Sequence, residues 1–317
     1  MFYLKEQKGK WISGERISNR LSVTRSAVWK HIGKLREEGY IIESSPRKGY
    51  LFRKVSDLLL ADEIRERLDT KVFGRRDIIC LKETDSTNMK AKDSAAAGGA
   101  EGTVIIAEKQ TKGRGRRGRD WFSYPGGGIY ISIILRPEIS PGDAPVITLM
   151  TAVAAAETLI CQTGLKLRIK WPNDILVNEK KIAGILTEIS TEMDTVDYIV
   201  VGLGLNVNIP SGAFPEDIRK RSTSILIETG ERFSRIELIG AYLGWYEKYY
   251  EIFKRKDIKS IMHRWKELAD IIGKRITVDA SGRKIAGEVV NVGNDGVLLL
   301  KDDQEKLHRI FSGDVIL

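Results

Sequence analysis

SGERISNRLSVTRSAVWKHIGKLREEG, from Ser13 to Gly39, decides how the N-terminal part of the chain folds. Ile17 and Leu21 stand four residues apart, the spacing of one helix face. Ser22-Val23 breaks that helix, and Thr24 is a good N-cap for a second one carrying Ala27, Val28, Ile32 and Leu35 on one side. Arg25, Ser26, Trp29, Lys30 and Lys34 fall on or near the other side. Gly39 suits the position just past a helix end. YIIESSPRKGYLF (Tyr40 to Phe52) then reads as two short strands around a Ser-Ser-Pro-Arg-Lys-Gly turn. Helix, tight turn, helix and β wing, in that order, predict a winged helix-turn-helix that binds DNA. Thr24, Arg25, Ser26, Trp29 and Lys30 are its candidate contacts on the second helix, and Arg47 and Lys48 those at the wing tip, near phosphates. A helical protein-interaction module with a basic face is the alternative.

Charge separates this module from the rest. Residues 1–60 hold thirteen Lys/Arg against six acids, a net of +7, so the other 257 residues share only +2 of the chain's +9. A basic module on a near-neutral body points to a polyanionic partner or, on charge alone, to a solvated basic surface. Length (317 residues) and a 42% hydrophobic content allow two or three domains with a proper core. No apolar run in the sequence approaches the ~20 residues that span a bilayer, and no apolar signal core stands near the N-terminus. Cys80 and Cys161 sit in apolar settings far apart, as buried free thiols do. Together these predict a cytoplasmic protein without a membrane partner.

The expected architecture is α+β in three parts: a winged helix-turn-helix over 1–65, a mixed-sheet α/β body over 66–270, and a small SH3-like β-barrel over 271–317. The body alternates strand-like runs (Ile78 to Leu81, Thr103 to Ala107, Ile129 to Leu135, Lys166 to Lys170, Ile175 to Val177, Tyr198 to Leu205) with helical ones (Asn88 to Ala97, Thr148 to Cys161, Arg235 to Lys254). No regular βαβ repeat appears, so a mixed sheet with helices on one side is expected. Neither GxxxxGK[ST] nor a GxGxxG opening a helix after a strand is present. Beyond residue 270 the chain has only strand character, with turns at 280–282 and 293–296.

Within the body, Lys112-Gly-Arg-Gly-Arg-Arg-Gly-Arg-Asp-Trp121 interleaves glycines, which let backbone approach a ligand, with arginines, which supply planar charged donors for phosphate or carboxylate. Alone it marks an anion site, or else a disordered basic loop or RNA-binding patch. Three further segments narrow the reading. Lys170-Trp-Pro-Asn-Asp174 packs a cation, an aromatic, an amide and a carboxylate at a strand end. Lys181-Ile-Ala-Gly-Ile-Leu186 brings a lysine into an apolar strand. Gly202-Leu-Gly-Leu-Asn206 closes another strand in asparagine.

Together with Thr84-Asp85-Ser86-Thr87-Asn88, these segments closely resemble, in wording, order and spacing, the bacterial biotin protein ligases. The winged helix in front and the barrel behind resemble the bifunctional subgroup that is both ligase and biotin operon repressor. The resemblance covers essentially the whole chain. It implies that biotin and ATP form biotinyl-5′-AMP with release of pyrophosphate, and that biotin then passes to a lysine of a biotin carboxyl carrier protein. Both nucleophiles come from substrates, which agrees with three histidines (His31, His263, His308) that sit near no motif. Catalysis by positioning and charge stabilisation is expected.

By this resemblance Ser86, Thr87, Asn88 and Gln110 meet biotin's ureido ring, with Gly115 and Gly184 close by. Arg114 and Arg116 hold the carboxylate and α-phosphate, and Lys181 bridges the two. Lys181 and Arg116 are the catalytic candidates. Arg117 and Arg119 meet the β/γ-phosphates, and Trp121 closes over the loop. Asn173, Asp174 and Asn206 lie on the nucleotide side, Asp174 being the candidate Mg²⁺ ligand. In the segment from Ile209 to Ile225, which folds over adenine in this family, Phe214 is the only aromatic, and no residue is assigned to stack on the base. Operator DNA and a homodimer formed on binding the adenylate are the remaining implied partners. A non-catalytic biotin sensor and a lipoate or octanoyl transferase are the alternatives.

Overall fold

Ser13 accepts a hydrogen bond from the Arg16 N–H at 3.1 Å, and Thr24 accepts one from the Ala27 N–H at 3.2 Å, so each caps the helix after it. In the computed structural model of the protein, every residue is described except 1, 8, 38, 56, 193, 194, 281 and 317, and the turn expected at 280–282 thus includes one residue, Ser281, outside the described residues. The chain forms two compact units, residues 1–60 and 61–317.

The first unit runs α1 (Phe2–Glu6), β1 (Trp11–Ile12), α2 (Gly14–Leu21), α3 (Arg25–Glu37), β2 (Tyr40–Ser45) and β3 (Gly49–Val55). Ser22 ends α2 in the left-handed region at φ 53°, and the Ser18 hydroxyl donates to the Val23 carbonyl, which fixes the turn into α3. Ile17, Val28, Ile32, Ile42 and Phe52 share one apolar core. Strands β2 and β3 pair antiparallel as the expected wing, and β1, unforeseen in the sequence, adds to β3. Gly49 begins β3 at φ 93°, and a Cβ there would stand 2.1 Å from the Ile12 carbonyl oxygen, so the base of the wing accepts glycine only.

The second unit opens with α4 (Ala61–Arg65), β4 (Ile78–Leu81), α5 (Thr87–Ala96), β5 (Val104–Ala107), β6 (Gly128–Leu135) and α6 (Ala144–Thr163). It continues with β7 (Arg168–Lys170), β8 (Asp174–Val177), β9 (Lys180–Glu192), β10 (Thr195–Asn206), the short α7 (Glu216–Arg219) and α8 (Ile225–Thr229), then α9 (Arg235–Lys254) and α10 (Ile258–Ala269). Its sheet has the order β4-β5-β6-β10-β9-β8-β7. Only β4 and β5 run parallel, so the sheet is mixed, as expected. Helices on one side, however, is overturned. Side chains alternate along β10: Tyr198 and Val200 pack with Ala91 and Ala95 of α5, whereas Leu203 and Leu205 face Ala155 of α6 and Leu238 and Tyr242 of α9. Helix α5 therefore lies on the face opposite α6 and α9.

Among the described residues one helical stretch, Pro141–Thr163, is long and apolar enough to cross a bilayer, which corrects the sequence reading. Most of it is buried, because α6 packs between the sheet, α9 and α10. Gly164 stops α6 in the left-handed region, its N–H returning to the Ile160 carbonyl at 3.0 Å. Helix α9 starts at a Ser234-x-x-Glu237 cap.

Strands β11 (Arg275–Ala280), β12 (Arg283–Val292), β13 (Leu298–Lys301), β14 (Leu307–Ile310) and β15 (Asp314–Ile316) form an antiparallel sheet of order β14-β13-β12-β11-β15. The Trp171 indole N–H donates to the Gly296 carbonyl at 3.1 Å, and Gly296 rests on Pro145 and Leu149. This seam is why the second compact unit runs through residue 270 without a break. The first division falls at 60 instead of 65 because α4, with Ile64 fully buried, packs on β4 and α9.

The first residue of α9, Arg235, is 0% exposed and pairs with Glu108 just after β5, at 2.6 and 3.3 Å, while also donating to the Gly128 carbonyl. Removing one partner of a buried pair leaves a charge without its counter-ion. Arg235→Met is expected to destabilise the protein by about 3–5 kcal/mol, read as a large fall in the urea midpoint, and a change under 1 kcal/mol would contradict it.

Candidate functional site

On the α5 face of the sheet lies a cavity of about 290 Å³. It gathers Ser86, Thr87, Asn88, Gln110, Arg114, Gly115, Arg116, Arg119, Trp121, Asn173, Asp174, Lys181, Gly184 and Asn206, drawn from segments spread over 120 residues of sequence. Of the sequence-predicted ligase residues, only Arg117 does not line it. Residues on its wall to which the sequence assigned no role include Lys170, Phe122, Phe214 and Arg221, and Ser132 and Glu188 stand behind it. Ser132 left a signal: it is the one serine in the otherwise apolar and aromatic strand GIYISIIL.

The start of α5 forms one wall through a polar network. The Thr87 N–H and hydroxyl both donate to Gln110 Oε1, at 2.9 and 3.1 Å. Ser132 Oγ donates to Asn88 Oδ1 at 2.6 Å and lies 2.8 Å from Thr87 Oγ1. The Asn88 amide donates to the Leu186 carbonyl and to Glu188, at 3.2 and 3.0 Å. Asn88 is thus spent on both sides and acts as a strut between α5 and the sheet, while Thr87 and Gln110 are held in fixed orientation. The Ser86 hydroxyl is not used to cap the helix.

Gly202 and Gly204 form the floor because no side chain fits there. A Cβ on Gly202 would stand 2.1 Å from Asn88 Oδ1, and one on Gly204 would stand 2.3 Å from the Trp121 ring. The Trp121 indole lies on this floor with its N–H buried and unpartnered, and the Lys181 ammonium sits 5.2 Å from the ring centroid.

The arginine segment is an ordered hairpin. Gly115 N–H donates to the Arg119 carbonyl at 2.6 Å and Trp121 N–H to the Gly113 carbonyl at 2.9 Å, with a turn at residues 116–118. Arg116 reaches inward and donates to Asn173 Oδ1 at 3.0 Å, while the Asn173 amide donates to the Ile185 carbonyl at 2.8 Å. Burial pushes the Arg116 guanidinium below its ordinary pKa, and Asp314 draws it back up. Arg119 lines the cavity but pairs with Asp314 at 2.9 Å, and Arg117 turns away to the same carboxylate.

Lys181 Nζ lies 2.7 Å from Asp174 Oδ1, an ion pair without hydrogen-bond alignment. Lys170 beside them is lowered in pKa by burial, with Asp174 opposing and Lys181 adding to the shift. The backbone of Lys181 is fastened on both sides: its N–H donates to the Arg221 carbonyl at 2.8 Å, and its carbonyl accepts from Thr223 N–H at 2.9 Å. The Asn206 amide donates to the Thr223 carbonyl at 2.9 Å, so Asn206 secures the segment over residues 209–225. Phe214 packs at 5.8 Å on Phe122 at the edge of the cavity. Asp174 is committed to Lys181, and among the described residues no group of three His, Cys, Asp or Glu could hold a metal ion. The described residues thus offer no all-protein cage for a metal ion, and Asp174 is the lone carboxylate beside Lys181. His263 and His308 pair with Glu267 and Asp302, and neither they nor His31 line the cavity.

In the first unit, Thr24, Arg25, Ser26, Trp29, Lys30, Arg47 and Lys48 are all exposed, with Trp29 at 71%. Ser26, Trp29 and Lys30 lie on the solvent side of α3, away from the buried Val28 and Ile32, and Arg25 stands exposed at the start of the helix. Arg47 and Lys48 stand in the turn between β2 and β3, and the Lys48 ammonium lies 5.9 Å from the Trp11 ring. An uncovered indole among cations, with the apolar side turned to the core, is a surface built for a partner.

Residues 80–206 match the biotin/lipoate A/B protein ligase family, and residues 1–51 match a helix-turn-helix domain family. The chain is 39% identical over 307 residues to the bifunctional ligase/repressor BirA of Bacillus spizizenii, covering 97% of this chain and 94% of that one. With the Escherichia coli protein of the same description it shares 31% identity, over 93% and 89% of the two chains. A biotin protein ligase from Aquifex aeolicus, solved with biotin and ATP, superposes with a TM-score of 0.66 at 30% identity, covering 76% of this chain and 98% of that one.

The floor geometry predicts a specific failure. Gly202→Ala must displace Asn88, which is hydrogen-bonded at both ends, so overpacking of about 1–3 kcal/mol is expected. Differential scanning calorimetry should show a lowered Tm, and an unchanged one would mean that α5 is not held by this strut.

Proposed function

The chain belongs to the biotin protein ligase family, and we propose on that footing that it is an ATP-dependent biotin protein ligase and a biotin-operon repressor. In the first step a biotin carboxylate oxygen bonds to the α-phosphorus of ATP and the bond to pyrophosphate breaks, giving biotinyl-5′-AMP. In the second, the neutral amine of a lysine on a biotin carboxyl carrier protein attacks the acyl carbon and AMP leaves. The observation that carries this reading is the juxtaposition, in one cavity, of the Thr87–Gln110 network with the Lys181 and Arg116 cations.

A fused ureido ring has both donors and acceptors, and Ser86, Thr87 and Gln110 offer it a mixed set held in place by Ser132 and Asn88. Gly115 approaches the ring by its backbone, and Arg114 meets the carboxylate. Charge accumulates on the α-phosphate oxygens as the new bond forms, and Lys181 and Arg116 stabilise it there, in a site where both are partly withdrawn from water. Arg117 and Arg119 serve the departing pyrophosphate, and Asn173 and Asn206 support the nucleotide side. Phe122 and Phe214 provide the apolar wall that a purine needs. Asp174 is the residue that would meet a Mg²⁺ ion carried in with ATP, which would offset phosphate charge there. The biotinyl adenylate also acts as corepressor: it favours a homodimer that binds operator DNA through α3 and the wing. The protein acts in the cytoplasm.

Pyrophosphate release on mixing the protein with biotin and ATP tests the enzyme. Release that depends on biotin is expected; no release would leave a sensor, and release with lipoate instead would leave a lipoate ligase. Lys181→Ala should slow adenylate formation by about 10²–10³-fold while thermal stability and DNA affinity measured without biotin and ATP stay at wild-type values; near-normal turnover removes Lys181 from the chemistry. For the repressor, the double variant Arg47→Ala/Lys48→Ala should weaken DNA binding and flatten its salt dependence by about 0.9 for each phosphate the wing no longer neutralises. The same log–log slope in variant and wild type would take the wing out of the interface.

A further inference from the structure

Asp279 of β11 and Asp314 of β15 stand directly opposite each other in the antiparallel register. Like charges in that position disfavour the pairing of two strands. Here cations from a distant part of the chain fill the gap. Arg117 donates to the Asp279 carbonyl at 3.1 Å and to Asp314 Oδ2 at 3.4 Å, and Arg119 Nη2 lies 2.9 Å from Asp314 Oδ1. Arg116 adds a 3.4 Å hydrogen bond to the Gly313 carbonyl. All three belong to the turn at residues 116–118 and its flank, where Arg117 adopts φ 56°, a conformation L side chains rarely take.

We propose that this cross-strand carboxylate pair is an internal binding site for the arginine hairpin, in which Asp314 stands in for a polyphosphate until one arrives. The inference rests on the reading of Arg117 and Arg119 as pyrophosphate-facing groups. A single carboxylate shared by two guanidinium groups, each partly exposed, holds them weakly. A triphosphate carries more charge and more acceptor oxygens, so it takes the arginines from Asp314. The C-terminal sheet thereby orders the hairpin in the absence of nucleotide and competes with nucleotide for it. Asp314 is a positioning residue, acting on substrate only through the arginines it releases.

Two measurements on full-length Asp314→Asn test this. Trypsin cuts after arginine, and in the protein without ligands the bonds after Arg116, Arg117 and Arg119 should be cleaved severalfold faster in the variant. Asp314→Glu, which keeps the charge, should restore most of the protection. In steady state the variant's KM for ATP should fall by about two- to fivefold, the range expected when an exposed ion pair no longer competes, with KM for biotin unchanged. Equal cleavage rates, or a KM for ATP that is unchanged or raised, overturn the proposal. The cleavage assay involves no nucleotide, so its outcome is independent of the enzymatic reading, which fails separately if wild-type protein releases no pyrophosphate with biotin.

Discussion

Crowding of positive charge around one small cavity is the constraint from which the rest of this structure follows. Arg116, Arg119, Lys170 and Lys181 all reach the same space, and Asp174 is the carboxylate paired with Lys181 inside it. Such an arrangement is stable only if each cation is given a partner or a place in the solvent. The chain does this with separate devices: an ion pair for Lys181, a side-chain amide for Arg116, and a carboxylate from the C-terminal sheet for Arg117 and Arg119. Each is weak, and each can be exchanged for a phosphate oxygen.

Neutral scaffolding keeps that charge in register. Ser132, Glu188 and Asn88 hold α5 to the sheet, and Asn173 and Asn206 clamp neighbouring strands and loops through their amides. The asparagines that looked like ligand-binding groups in the sequence prove to have their amide donors committed to the protein. Their effect on a ligand is exerted through the orientation of Gln110, Arg116 and the segment over the cavity.

Much of this was legible beforehand, for identifiable reasons. Helices α3 and α9 carry their start signals in Thr24 and Ser234, and several strands of the central sheet, β5 and β6 among them, are mostly apolar runs, so local chemistry fixes them. The glycine-arginine segment and KWPND announce a site because charged and amide groups stand there side by side at the end of apolar strands. What escaped is non-local. Nothing near Asp314 says that it faces an arginine two hundred residues earlier, since β15 is three residues long and its partner strand is defined only by the closed sheet. The expectation of helices on one side fails at α5, because its pattern of small residues does not say which side of a mixed sheet it covers. Helix α6 escaped as an apolar span because Glu157, Thr148, Thr151 and Thr158 break up the run to the eye, although their side chains are satisfied within the fold.

The two backbone hydrogen bonds that flank Lys181 have a consequence for traffic. The ribbon at residues 221–223 is joined to the main chain of that lysine as a strand is joined to its neighbour. Lifting it to admit a molecule would drag the lysine out of register at the same moment. The arginine hairpin, by contrast, is moored to the C-terminal sheet by side chains alone, which can let go and re-form without disturbing the catalytic backbone. The two rims of the cavity are thus a hinged side and a fixed side, and exchange with the solvent is cheaper at the first.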